Sequence, residues 1–91
     1  MSETQVIRVR YWAAARSAAG TPEDSLDVSG PVTLADVISE VVRRHPGSRF
    51  PDVVAVCSVL VGDQPVGSRE PETVAVPPGS TVEFLPPFAG G

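Results

Sequence analysis

The residues best placed to do chemistry are the last six, Pro86-Pro87-Phe88-Ala89-Gly90-Gly91. A double proline cannot continue a strand ladder, because proline lacks the backbone N–H and fixes φ. The residue ahead of each proline is pushed toward extended backbone. The tail therefore leaves the body in an extended path. Phe88 offers one apolar grip, and Ala89, Gly90 and Gly91 then carry almost no side-chain bulk. Such a tip can thread a channel too narrow for other residues, and glycine adopts whatever φ the channel imposes. The prolines lower the ordering entropy that a flexible tail must lose on binding. At the far end the expected reactive group is the carboxylate of Gly91. A carboxylate acylates poorly because its leaving group is oxide. Condensation with ATP converts it to a mixed anhydride with AMP, which a nucleophile can attack. On that reading the protein is a macromolecular substrate, closed upon by another protein's active site. A Gly-Gly end by itself is weak evidence, since chains also end in glycine without consequence.

The body must present that tail, and its size limits what else it can do. The 91 residues are enough for one domain, taken as 1–85 with a tail at 86–91. A chain this short buries only roughly 60 to 65% of its unfolded surface, which leaves little room for a deep catalytic pocket beside the core. The formal net charge of −4 argues against a nucleic-acid binder. Cys57 is the sole cysteine, so neither an internal disulfide nor a cysteine-based metal site is expected. The opening MSETQVIRVR has no apolar h-region, and no stretch reaches the length of a membrane span, so the expected location is the cytoplasm.

The elements can be read from period and punctuation. Gln5 to Tyr11 alternates, with Ile7, Val9 and Tyr11 on one face and Val6, Arg8 and Arg10 on the other, as in a half-buried strand. WAAARSAAG predicts a short helical turn stopped by Gly20. SLDVS predicts a second strand with Leu26 and Val28 inward. VTLADVISEVVRRHPG is the principal helix: Leu34, Val37, Ile38, Val41 and Val42 form one stripe, and Thr33 stands at the N-cap with Asp36 three residues on. SRFPDVV reads as irregular or a short turn, AVCSVLVG as a strand covered on both faces or lying centrally, and GDQPVGS as a turn into a short edge segment. A further short segment, a Pro-Gly turn and a last strand from Thr81 to Leu85 complete the chain. The order predicts an α+β domain, a mixed four- to five-stranded sheet with one main helix across it.

Three stretches carry a family resemblance: IRVRYWAAARSAAG, VTLADVISEVVRRHP and GSTVEFLPPFAGG. Together they span nearly the whole chain, and the last is the most specific. The sequence resembles the MoaD/ThiS group of ubiquitin-like sulfur carriers, most closely the branch that serves molybdopterin synthase. The resemblance implies a β-grasp fold with the first and last strands parallel neighbours. It implies that an adenylating enzyme related to the ubiquitin activators uses Mg-ATP to adenylate Gly91, and that a persulfide sulfur donor then displaces AMP to leave a thiocarboxylate. The charged carrier would dock on the large subunit of molybdopterin synthase and pass sulfur to a pterin precursor for molybdenum cofactor biosynthesis. The chain is thus expected to be non-catalytic alone and to bind no cofactor or metal itself. Alternatives are a sulfur carrier for thiamine or cysteine biosynthesis, a ubiquitin-like protein modifier, or an interaction domain with an inert tail.

If the first and last strands are parallel neighbours, alternation places Trp12 and Leu85 on the outer face as an apolar patch at the root of the tail, with Val66 extending it. The competing arrangement has Trp12 capping the end of the core. Cys57 reads as a small buried hydrophobe rather than a sulfur relay, and His45 as a cation at a helix terminus. Arg8, Arg10 and Arg16 read as solvated, and Glu23, Asp24 and Glu70 as loop solvation.

Overall fold

The computed structural model describes residues 4–46 and 49–87. Strand β1 (Gln5–Tyr11) forms as its alternation dictates: Ile7, Val9 and Tyr11 are buried and the residues between them are exposed. Helix α1 (Ala13–Ala19) follows and stops at Gly20, whose φ of 77° is left-handed and suits glycine. Strand β2 (Glu23–Val28) pairs antiparallel with β1, Ile7 opposite Leu26. Helix α2 (Leu34–Arg44) begins at a complete capping box: Thr33 accepts from the Asp36 N–H, and the Asp36 carboxylate accepts from the Thr33 N–H. Its Leu34, Val37 and Val41 face the core.

The segment expected to be irregular or a short turn is a helix, α3 (Phe50–Ala55). Pro51 occupies its first turn, where the missing N–H costs nothing. Phe50 is fully buried and meets Tyr11 edge-on at 5.2 Å between ring centroids. The domain thus has α1 and α3 beside its main helix. Because α3 runs to Ala55, strand β4 is short, Ser58–Val61, and Cys57 precedes it rather than lying within it. The edge segment is β5 (Gln64–Pro65) and the last strand is β7 (Thr81–Leu85), with β6 (Ala75–Val76) between them.

The main sheet has five strands in the order β2-β1-β7-β4-β5. The pair β1 and β7 is parallel, with Tyr11 opposite Phe84, and the other neighbours are antiparallel. This is the ubiquitin-like β-grasp. A second ladder joins β3 (Val32–Thr33) to β6, two residues from each, too short to carry a sequence signal. The strand that leads to the tail is therefore the central one, hydrogen-bonded on both sides. The core between sheet and helices contains Val82 and Phe84 of that strand, both fully buried.

Candidate functional site: the outer sheet face at the root of the tail

The tail begins from the middle of the sheet. Leu85 is the last residue of β7, opposite Ser58 of β4, and Pro86 and Pro87 lie beyond the ladder. Phe88, Ala89, Gly90 and Gly91, expected to form the reactive tip, lie outside the described residues.

The ladder between β1 and β7 runs one step past the strand end: the Trp12 N–H donates to the Phe84 carbonyl at 3.2 Å. Continuing the register from Tyr11 and Phe84 sets Trp12 opposite Leu85. The side chains of Tyr11 and Phe84 point into the core, so those of Trp12 and Leu85 face the other way. Trp12 is 41% exposed, so it does not cap the core, and Leu85 is half-buried. The indole is held in place. Its Nε1–H donates to Glu83 Oε1 at 3.0 Å, and the Arg10 guanidinium stands over the ring, 5.0 Å from its centroid. Immediately after Trp12, Ala13 takes a φ of 49°, a left-handed conformation that turns the chain from the strand into α1.

Val66 does not extend this patch. It is 7% exposed, its N–H donates to the Val59 carbonyl, and it packs into the core beneath the β4–β5 hairpin. A lone valine in the polar text GDQPVGS gave no indication of its side. The patch extends instead through Leu60 and Pro65. Leu60 pairs with Glu83 on one side and Pro65 on the other, and it shares the outer face because its neighbours Val59 and Val61 pack on the core. Alternation within VLVG held that signal. Trp12, Leu85, Leu60 and Pro65 thus make an apolar band across three of the sheet's central strands and its edge, bordered by Arg10 and Glu83.

The other singled-out residues lie elsewhere. Cys57 is half-buried and its Sγ donates to the Val53 carbonyl at 3.2 Å; burial pushes the thiol up to about 11. A thiol so placed is a poor sulfur relay. Arg8 lies 3.5 Å from Glu23 across the β1–β2 pair, largely exposed, as expected of a solvated cation. Asp24 is not loop solvation. Its Oδ2 accepts from the Tyr11 hydroxyl at 2.7 Å and lies 2.6 Å from His45 Nε2. Burial acts against the Asp24 carboxylate most strongly, but the bonds from Tyr11 and His45 and the charge of Arg44 together outweigh it and hold the group below the usual carboxylate range. The same burial, with the Asp24 bond, pushes the Tyr11 phenol far above its ordinary value. His45 therefore ties the end of α2 to β2. Among the described residues, no group of three or more His, Cys, Asp or Glu is placed to hold a metal ion. No helix among them is long and apolar enough to cross a membrane.

The profile of the ThiS family matches residues 9–91. The chain belongs to the ThiS family. It is 26% identical over 85 residues to a molybdopterin synthase sulfur carrier subunit from Chlamydomonas reinhardtii, covering 93% of this chain and 98% of that one. A protein of the same name from Aspergillus niger is 26% identical over 91 residues, the full length of both. Among solved structures, SAMP1 from Haloferax volcanii superposes with a TM-score of 0.76 at 22% identity, over 94% of this chain and 99% of that chain. Urm1 from Trypanosoma brucei gives 0.74 at 21% identity over all of both chains. A putative molybdopterin converting factor subunit from Pyrococcus furiosus gives 0.73 at 22%, over 92% and 99%. These likenesses establish the shared fold.

Proposed function

We propose that this ThiS-family chain is a sulfur carrier that acts as the small subunit of molybdopterin synthase. The observation that carries the reading is the origin of the tail: it continues the central strand, and Pro86-Pro87 follow directly on Leu85. A strand paired on both sides is held in register, so Pro86 and Pro87 leave the sheet beside Trp12 and Leu85. The match to two molybdopterin synthase sulfur carrier subunits, over 93% and 100% of this chain, supports the same reading.

In this account an adenylating enzyme takes the Gly91 carboxylate and ATP with Mg²⁺, forms the acyl-adenylate and releases pyrophosphate. A persulfide donor's sulfur attacks the carbonyl carbon, AMP leaves, and reduction of the resulting acyl disulfide by a thiol leaves the thiocarboxylate. The small tip then enters the active site of the large subunit while the sheet face docks on its surface. The body contributes position and recognition, and the partners contribute the catalytic side chains. Adding one residue after Gly91 tests this: charging should be abolished while the folded domain is unchanged. Full charging of the extended chain contradicts the proposal.

A second reading, a ubiquitin-like protein modifier, is favoured by the likeness to SAMP1 and Urm1 and uses the same tail. Recovery of Gly91 in an isopeptide bond to another protein's lysine distinguishes it.

A further inference from the structure

The 91-residue sequence contains no lysine: all seven of its strongly basic side chains are arginines. An arginine guanidinium keeps its proton at any physiological pH and has no lone pair to offer an acyl group. Lysine's amine is the usual acyl acceptor on a protein surface. Its absence removes that chemistry from every exposed position.

The remaining side chains that could attack a carbonyl are withdrawn by the fold. The lone cysteine, Cys57, is half-buried and donates its S–H to the Val53 carbonyl. Burial raises its thiol to about 11, so almost none is thiolate at neutral pH. The lone tyrosine, Tyr11, is 2% exposed and its hydroxyl is bound to Asp24. The lone histidine, His45, lies 2.6 Å from the same carboxylate with a side chain only 15% exposed, its ring against Tyr11 and Phe50. Serine and threonine hydroxyls need an adjacent base to become nucleophiles. The one imidazole available is already engaged elsewhere.

We infer that this chain is built as an acyl donor only, with a folded surface that offers its own activated terminus no side-chain nucleophile. The inference rests on the proposed activation of Gly91 and states what that activation is protected from. An amine reaching the acyl-adenylate would form a C–N bond at the Gly91 carbonyl, break the C–O bond to phosphorus, release AMP and lose a proton to solvent. The product would be a dead self-conjugate. With no lysine, copies of this chain cannot be linked through lysine side chains, which leaves the α-amine as its one amine acceptor. A conjugate to another protein, should one form, is not extended through a lysine of this chain.

The test uses the full folded chain and an activated acyl group that needs no enzyme. Excess acetyl N-hydroxysuccinimide near neutral pH should leave a single acetyl group, on the α-amine, by intact mass. The Arg69→Lys variant, altered at an exposed position outside the patch and tail, should take up one more. Denaturant should open Cys57 and Tyr11 to the reagent. A further stable acetyl on the folded unmodified chain overturns the inference. In a second arm, the chain incubated with an adenylating enzyme and Mg-ATP should yield no dimer linked through a side chain, and such a dimer overturns it too. Failure of that enzyme to charge the chain counts against the proposed function alone, because the acetylation arm still decides this inference.

Discussion

The Trp12 indole donates to Glu83 across the parallel pair of first and last strands, 71 positions apart in sequence. The bond is exposed, so its contribution to stability is small. Its consequence is orientation: an aromatic ring with a fixed rotamer beside the root of the tail, further held by Arg10. A pre-ordered aromatic loses little entropy on docking and makes a good anchor.

Trp12→Ala and Leu85→Asp should each weaken binding to the large subunit by about tenfold or more, as loss of an interface anchor does. Glu83→Gln, which keeps an acceptor for the indole, should have a smaller effect than Glu83→Ala. Calorimetric titration with the large subunit, alongside thermal unfolding of each variant, separates binding from folding. Unchanged affinity in folded Trp12→Ala and Leu85→Asp removes the patch from the account.

Phe50→Ala should destabilise the domain by about 3–5 kcal/mol, the usual cost of emptying a buried phenylalanine site. The ring is fully buried against Tyr11 and His45, and α3 depends on it. Urea unfolding measures this. A loss below about 1 kcal/mol contradicts the placement of α3 on the core.

This helix shows where the sequence was legible and where it was not. Ile7, Val9 and Tyr11, and the stripe from Leu34 to Val42, repeat often enough for period to declare both element and face. The capping residues Thr33 and Asp36, and the limits of β7, were likewise plain. Helix α3 has six residues, too few for a helical period to emerge, and only Pro51 and Asp52 in its first turn marked it. Val66 and Asp24 failed for another reason. Each is a single residue in polar surroundings, and its side is decided by distant partners, Val59 for one and Tyr11 with His45 for the other. The outer patch was partly legible: alternation placed Trp12 and Leu85 and held the side of Leu60, while Pro65 required the β4–β5 register.

Asp24 gives the fold an acid-side dependence. Its carboxyl is held below its ordinary value in the folded state, so the carboxylate contributes stability at neutral pH. That contribution is lost as pH falls from the ordinary carboxylate range, about 4, through the lower folded value. Asp24→Asn should therefore lower stability at neutral pH and flatten its decline below about pH 4. Unfolding midpoints measured from pH 7 down to about pH 3 test this; parallel curves for the two proteins contradict it.

Cys57 should react slowly with iodoacetamide in the folded protein. Raising the thiol from 9.0 to about 11 lowers the thiolate fraction by about a hundredfold at a given neutral pH, before any steric protection. Denaturant should restore an ordinary rate. Rapid alkylation of the folded chain shows that the Val53 contact does not hold the thiol.

The proposed chemistry is carried by Gly91. The direct measurement is an intact-mass spectrum of the chain after incubation with an adenylating enzyme, Mg-ATP and a persulfide source, followed by fragmentation to place the change. The account predicts replacement of one oxygen by sulfur, confined to Gly91. An unchanged mass, with an enzyme shown to charge a related carrier in the same mixture, contradicts it.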